Sequence, residues 1–226
     1  MTSYIVTNLV LPFFLFLFFV LNRTRVLGRR RVPRRRNTLL LANHQSMIDS
    51  FLIGIAAFYP HHVTRPWLIP WNAAAEENFF RNRLFAWAFD QMHCIPVKPG
   101  RRDLKAIYRS MRALRGGTMI LFPEGTRTRT GAIERGRPGA GLVALGNEPT
   151  VIPVTIEGMD EVLPIGSVVP RIGKRITVYF GRPLDYSDLA DEPRSKETAQ
   201  RVVDRVMERL RFQRRVIRRL RRRAEG

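Results

Sequence analysis

Residues 36–58 read RNTLLLANHQSMIDSFLIGIAAF, and the fold class follows from them. The apolar run within 36–43 sits between polar ends and has the density of a strand buried on both faces. Residues 46–58 (SMIDSFLIGIAAF) have helical character, with Ser46 as a candidate N-cap. A strand that passes through a short polar loop into a helix is half of a strand–helix–strand unit.

The same alternation extends outward from this stretch. Residues 66–72 (PWLIPWN) read as a strand, 75–92 as an amphipathic helix, 94–97 as a strand and 99–103 as a turn. A helix over 103–117 closes on glycines, and 118–125 (TMILFPEG) is a strand running into a loop. A short helix at 139–147, strands at 150–158 and 175–184, and a final helix at 194–223 complete the pattern. The reading is an α/β chain: a single domain with a mixed, mainly parallel sheet flanked by helices. A length of 226 residues with a hydrophobic fraction of 45% suits one such domain. Cys94 is the single cysteine, so no intramolecular disulfide exists, and it reads as a small buried residue.

The formal net charge of +20 raises nucleic-acid binding as a possibility, but its distribution argues otherwise. Residues 23–36 carry eight arginines and no acid, and residues 194–223 carry thirteen Lys/Arg against three acids. Between these two stretches the charges nearly balance. The last helix places Val203, Val206, Met207, Leu210, Ile217 and Leu220 at helical spacing under an arginine-rich surface. That pattern suits an anionic membrane surface, or core packing with solvated arginines. Nucleic-acid binding would call for stacking aromatics among the arginines, and Phe212 stands alone there, so no nucleic-acid partner is expected.

Residues 4–21 (YIVTNLVLPFFLFLFFVL) carry no charge. Eighteen residues of helix rise about 27 Å, against a hydrocarbon core of about 30 Å. Eight arginines follow at once, on the wrong side for a secretory signal peptide. By the positive-inside tendency everything after them is cytoplasmic. The expected organisation is a membrane anchor at 1–22, a basic juxtamembrane collar at 23–36, the main domain at 37–193 and a basic amphipathic helix at 194–226. The expected location is the inner (cytoplasmic) membrane, with the main domain on its cytoplasmic side.

Two short patterns carry chemistry. In N-H-Q-S-M-I-D, His44 and Asp49 are five residues apart. On one continuous helix they would lie about 140° apart, on different faces. They meet if His44 just precedes the helix and Asp49 sits in its first turn. Asp49 would then accept the Nδ1–H of His44 and leave Nε2 to take a proton from a hydroxyl. Taken alone, a capping aspartate beside a surface histidine explains the spacing equally well. In F-P-E-G-T-R-T (122–128), Gly125 permits a tight turn and Arg127 suits a bidentate phosphate contact. Glu124 is placed to hold Arg127 or a glycerol hydroxyl. Adjacent His61 and His62 complete no metal-ligand set, so no metal site is expected.

Together, N-H-x-S-x-x-D and F-P-E-G-T-R resemble the lysophosphatidic acid acyltransferase family, the bacterial PlsC-like glycerolipid acyltransferases. I-P-V-K-P-G-R-R-D (95–103) is similar to the family's second block and V-I-P-V-T-I-E-G (151–158) to its fourth. The similarity covers roughly residues 36–184. It implies that His44 is the general base and Asp49 its partner, and that Glu124, Gly125, Thr126 and Arg127 bind the acceptor's glycerol phosphate. Lys98 stands where the family more often has arginine, with Arg101 and Arg102 placed to supply a planar fork. The stretch R-G-R-P-G (135–139) departs from a Phe-Lys-Lys-Gly-like stretch: Gly139 matches, whereas Arg137 and Pro138 do not.

The implied reaction moves an acyl chain from acyl-CoA or acyl-ACP to the sn-2 hydroxyl of 1-acylglycerol 3-phosphate (lysophosphatidic acid), without a cofactor, among membrane phospholipids. Another lyso-lipid acceptor is the nearest alternative. A catalytically silent lipid-binding protein is a more distant one, disfavoured by the intact His44, Asp49, Glu124 and Arg127.

Overall fold

Leu39, Leu40 and Leu41 are fully buried, and they explain why their strand shows no polar alternation. That strand, β2 (Thr38–Ala42), lies mid-sheet and has apolar layers on both faces. The structure, a computed structural model, describes residues 2–75, 91–97 and 103–223. The body of the helix read at 75–92, most of the turn at 99–103, and Lys98, Arg101 and Arg102 lie outside the described residues.

The other strands are β1 (Arg23–Leu27), β3 (Trp71–Ala75), β4 (Cys94–Val97), β5 (Thr118–Leu121), β6 (Thr150–Glu157) and β7 (Arg175–Phe180). They form one sheet in the order β1-β7-β6-β2-β5-β3-β4. All neighbouring pairs are parallel except β6 with β7. The longer helices among the described residues are α1 (Thr2–Leu15), α2 (Asp49–Phe58), α3 (Leu104–Gly116), α4 (Gly139–Asn147) and α5 (Lys196–Arg223), beside single turns at Met159–Val162 and Ser187–Ala190. α1 continues as a π-helical turn over Phe16–Val20.

Alternate residues of β2 face opposite layers. Leu40 joins Leu52 and Phe58 of α2, together with Phe14 and Phe18 of the N-terminal helix. Leu39 and Leu41 join Leu114 of α3, Val143 of α4 and Val206 of α5. The apolar stripe of the basic C-terminal helix is therefore buried in the core, and its arginines are left on the outside.

Several boundaries differ from expectation for local reasons. Pro66–Leu68 form a 3-10 turn, and the strand begins only at Trp71, because Pro66 and Pro70 have no N–H to give a ladder. β7 stops at Phe180, just before Gly181 and Pro183. Arg23–Leu27, within the arginine-rich collar, form an edge strand paired with β7. Ser46 does not cap α2: the helix starts at Asp49, and the Ser46 hydroxyl donates to the Leu163 carbonyl at 3.0 Å.

Candidate active site

β2 and β5 are neighbours and parallel, so their following loops leave the same edge of the sheet. The loop after β2 leads to α2 on one face, and the loop after β5 leads to α4 on the other. Loops that diverge in this way open a crevice at the carboxyl ends of the strands, where ligands of open α/β sheets bind. N-H-Q-S-M-I-D lies on one side of that crevice and F-P-E-G-T-R-T on the other.

The first loop is pinned by its own polar side chains. Asn43 pairs with the backbone of Ile156, accepting its N–H at 2.8 Å and donating to its carbonyl at 3.0 Å. Gln45 accepts the Met159 N–H at 3.1 Å. Each tie runs to β6 or the segment just after it, so the loop cannot shift without breaking bonds to the neighbouring strand.

His44 and Asp49 meet. His44 Nδ1 is 2.9 Å from Asp49 Oδ2. The same oxygen accepts the backbone N–H of Gln45 at 2.6 Å and of Ser46 at 2.8 Å. Asp49 is fully buried. An acceptor at this place fixes the His44 proton on Nδ1. The His44 side chain is 19% exposed and its ring stacks on Phe122, with centroids 4.0 Å apart. The imidazole is thus held by a carboxylate at one nitrogen and by an aromatic ring on one face.

Glu124 does not hold Arg127. Its Oε1 accepts the His44 N–H at 3.1 Å and its Oε2 accepts the Glu134 N–H at 3.0 Å. Glu124 is buried, and burial pushes its carboxyl above the ordinary range, with the two N–H donors pulling the other way. The side chain therefore clamps the two loops together. A third tie, from Thr128 N–H to the His44 carbonyl at 2.9 Å, closes the same joint.

Gly125 has φ +73°, a conformation that suits glycine, and Gly125 and Thr126 are exposed. Arg127 is half-buried and has no hydrogen bond or ion pair among the described residues. Arg137, which departs from the family's stretch, lies against this turn: its Cδ is 3.4 Å from where a Gly125 Cβ would be, and its N–H donates to the Pro123 carbonyl at 2.8 Å. A tight turn flanked by two cations suits an anion. Among the described residues no His, Cys, Asp and Glu side chains gather as a metal-ligand set.

Residues 23–157 match the family model described as Acyltransferase. The chain belongs to the acyltransferase family. The chain is 27% identical over 210 residues to Drosophila melanogaster tafazzin, a match that covers 83% of the chain and 54% of the relative. It is 26% identical to a chloroplastic 1-acyl-sn-glycerol-3-phosphate acyltransferase of Arabidopsis thaliana, over 69% of the chain and 42% of the relative. It is 30% identical to the N-acylphosphatidylethanolamine synthase of the same plant, over 71% of the chain and 59% of the relative. The chain spans about half the length of these curated relatives. The PlsC 1-acyl-sn-glycerophosphate acyltransferase of Thermotoga maritima shares its fold, with a TM-score of 0.63 and 23% identity over 92% of this chain and 78% of that one.

Proposed function

We propose that the protein is a glycerolipid acyltransferase that acylates the sn-2 hydroxyl of 1-acylglycerol 3-phosphate to give phosphatidic acid. The observation that carries the reading is the His44–Asp49 contact of 2.9 Å at the mouth of the crevice between β2 and β5. His44 Nε2 takes the proton of the acceptor hydroxyl as that oxygen attacks the thioester carbonyl of acyl-CoA or acyl-ACP. The tetrahedral intermediate collapses with loss of the thiolate, which takes the proton back from the imidazolium. Asp49 holds the imidazole in the required tautomer and stabilises its charged form.

The acceptor's phosphate is taken by Arg127 above the Gly125–Thr126 turn, with Lys98, Arg101 and Arg102 as further expected contacts. Glu124, whose two oxygens hold the loops, acts on the acceptor through their position. No cofactor takes part in this scheme. The lipids reach the site from the cytoplasmic face of the inner membrane, where the apolar N-terminal helix anchors the chain. Thr2–Val20 is long and apolar enough to cross a membrane by length and composition.

A different lyso-lipid acceptor is the second reading. Arg137 beside Gly125 favours it, because a second cation there reshapes the site where the acceptor headgroup would rest. An acceptor panel on membranes carrying wild type or His44→Ala tests both, with acyl-CoA and acyl-ACP offered separately. Turnover of 1-acylglycerol 3-phosphate that disappears in His44→Ala supports the first reading. Turnover confined to another lyso-lipid moves the assignment there. Turnover that survives His44→Ala removes His44 as the base.

A further inference from the structure

The last helix, whose apolar face is already used in the core, carries a recess of about 290 Å³ on its outer side. Arg211, Arg214, Arg215 and Arg218 line it, and Ile133 of the loop after β5 forms its wall. The four arginines follow a helical spacing that places them on one stripe. Glu157 accepts from Arg214 Nε at 2.9 Å and from Arg218 Nε at 3.1 Å. Arg211 reaches only the Glu134 carbonyl, at 3.5 Å, and Arg215 lies over the Phe212 ring at 5.9 Å. Among the described residues neither has an acidic partner. Glu157 pairs with two of the four cations and Asp160 lies near Arg214 beside Gly131, so Arg211 and Arg215 keep the recess net positive. Like charges one turn apart destabilise a helix, so an anion seated among them relieves a repulsion built into α5.

The recess adjoins the crevice. Ile133 precedes Glu134, whose N–H is held by Glu124, and Glu124 also holds the His44 N–H. On the proposed function, two phosphate-bearing substrates meet at this crevice. The acceptor's phosphate belongs to Arg127 and its turn. The other phosphate is on the donor: acyl-CoA and acyl-carrier thioesters share a pantetheine arm that ends in a phosphate ester, well removed from the thioester. Guanidinium forks match phosphate oxygens bidentately.

We propose that the recess formed by Arg211, Arg214, Arg215 and Arg218 with Ile133 binds the phosphate of the acyl donor's pantetheine arm.

The test compares wild type with Arg211→Ala/Arg215→Ala, a variant that leaves the Glu157 pairs in place. The donors are an acyl-CoA and the S-acyl-N-acetylcysteamine of the same chain, which carries no phosphate. The proposal expects the variant's KM for acyl-CoA to rise about tenfold, as for a lost charge-assisted contact. It expects kcat at saturation, the acceptor KM and the kcat/KM for the phosphate-free thioester to stay as in wild type. Arg211→Lys/Arg215→Lys, which keeps the charge, should recover part of the loss. An equal fall on both donors, or no change on either, overturns the proposal. So does a rise confined to the acceptor KM, which would place a lipid headgroup phosphate in the recess. If wild type turns over neither donor, the functional reading has failed on its own account, and calorimetric titration of CoA then tests the recess alone. Binding lost in the alanine variant supports it, and equal or absent binding in both proteins overturns it.

Discussion

Asp49 gathers three N–H donors on one oxygen, from His44 Nδ1 and from the Gln45 and Ser46 amides. Asparagine in its place keeps an oxygen for those donors but loses the charge that stabilises an imidazolium. Asp49→Asn should therefore lower kcat by about 10²–10⁴-fold while the variant stays folded. Circular dichroism and turnover measured on one preparation check this, and a kcat within about threefold of wild type would leave Asp49 without the assigned role. Glu124 works through its neighbours. In Glu124→Gln one of the two loop amides faces an N–H in place of an acceptor, at a cost of about 1–3 kcal/mol. Because burial raises the Glu124 pKa above the ordinary 4.5, the folded protein holds this proton more tightly than the unfolded chain. That contribution is full below the ordinary value and is lost as pH rises through the folded value. The wild type's stability advantage over Glu124→Gln should thus shrink from about pH 4 towards neutrality. Melting curves of both proteins across that range decide it, and an advantage that grows with pH contradicts the assignment. The His–Asp contact was legible only with help: the spacing lets a base just before a helix meet a partner in its first turn, and the second motif favours that over a capping aspartate beside a surface histidine. The clamp was not, since its two partners are backbone amides 80 and 10 residues away, which no side-chain pattern encodes. Arg137 gives no family signal because the stretch differs there, and its position beside Gly125 comes from the fold of the loop.

The alternation of elements was read well wherever burial dominates. β2, β5 and β6 are almost wholly buried strands, and their apolar runs say so. β1 is not legible in the sequence, for the opposite reason. Arg23 and Arg25 are edge-strand arginines that give no apolar signal, and a charged edge is one that resists pairing with another chain. The long last helix was expected to use its apolar stripe on a membrane or in the core, and the close crossing with α4 shows which. A Cβ on Gly141 would stand 2.0 Å from the Ala199 carbonyl oxygen and 2.7 Å from its carbonyl carbon. Backbone cannot give way as a flexible side chain does, so the helices would have to separate. Gly141→Ala should destabilise the fold by about 1–3 kcal/mol or more, despite alanine's better helix propensity. Chemical denaturation followed by circular dichroism measures this directly. An unchanged midpoint would mean that α4 and α5 do not pack at this distance, and that the recess on α5 is poorly fixed relative to the catalytic loops.

Taken whole, the molecule ties its most apolar helix to its own body along the full length of that helix. At one end the Tyr4 hydroxyl donates to the Val63 carbonyl at 2.7 Å, and Ser3 bonds the Gln91 carbonyl. Midway, Phe14 stacks on Phe51 of α2, with centroids 4.2 Å apart. At the other end Leu21 accepts the Gly173 N–H, and Asn22 bonds the backbone of Arg171 and Lys174. Hydropathy reads length and composition, and those leave a spanning helix and one lying in a single leaflet both open. It is blind to what lies beside a helix. A bilayer core about 30 Å thick cannot fit between Ser3 and the domain while these contacts hold. The outward residues Ile5, Leu9, Phe13, Phe16 and Val20 are more than half exposed, and they recur at helical spacing, so one face is free to enter a single leaflet. Val168, Val169 and Ile172 are equally exposed, in the loop that bonds Leu21 and Asn22, and they extend that apolar surface. The helix is thus expected to lie in one leaflet, with both of its ends and the domain on the same side. Single cysteines at Ser3 and Ser187, probed with a membrane-impermeant maleimide on sealed vesicles of both orientations, make the comparison. Both sites labelling from the same side fits the one-leaflet arrangement. Ser3→Cys labelling only from the side opposite Ser187→Cys would mean that the helix spans the membrane, and that its contacts with Val63 and Gln91 do not persist there.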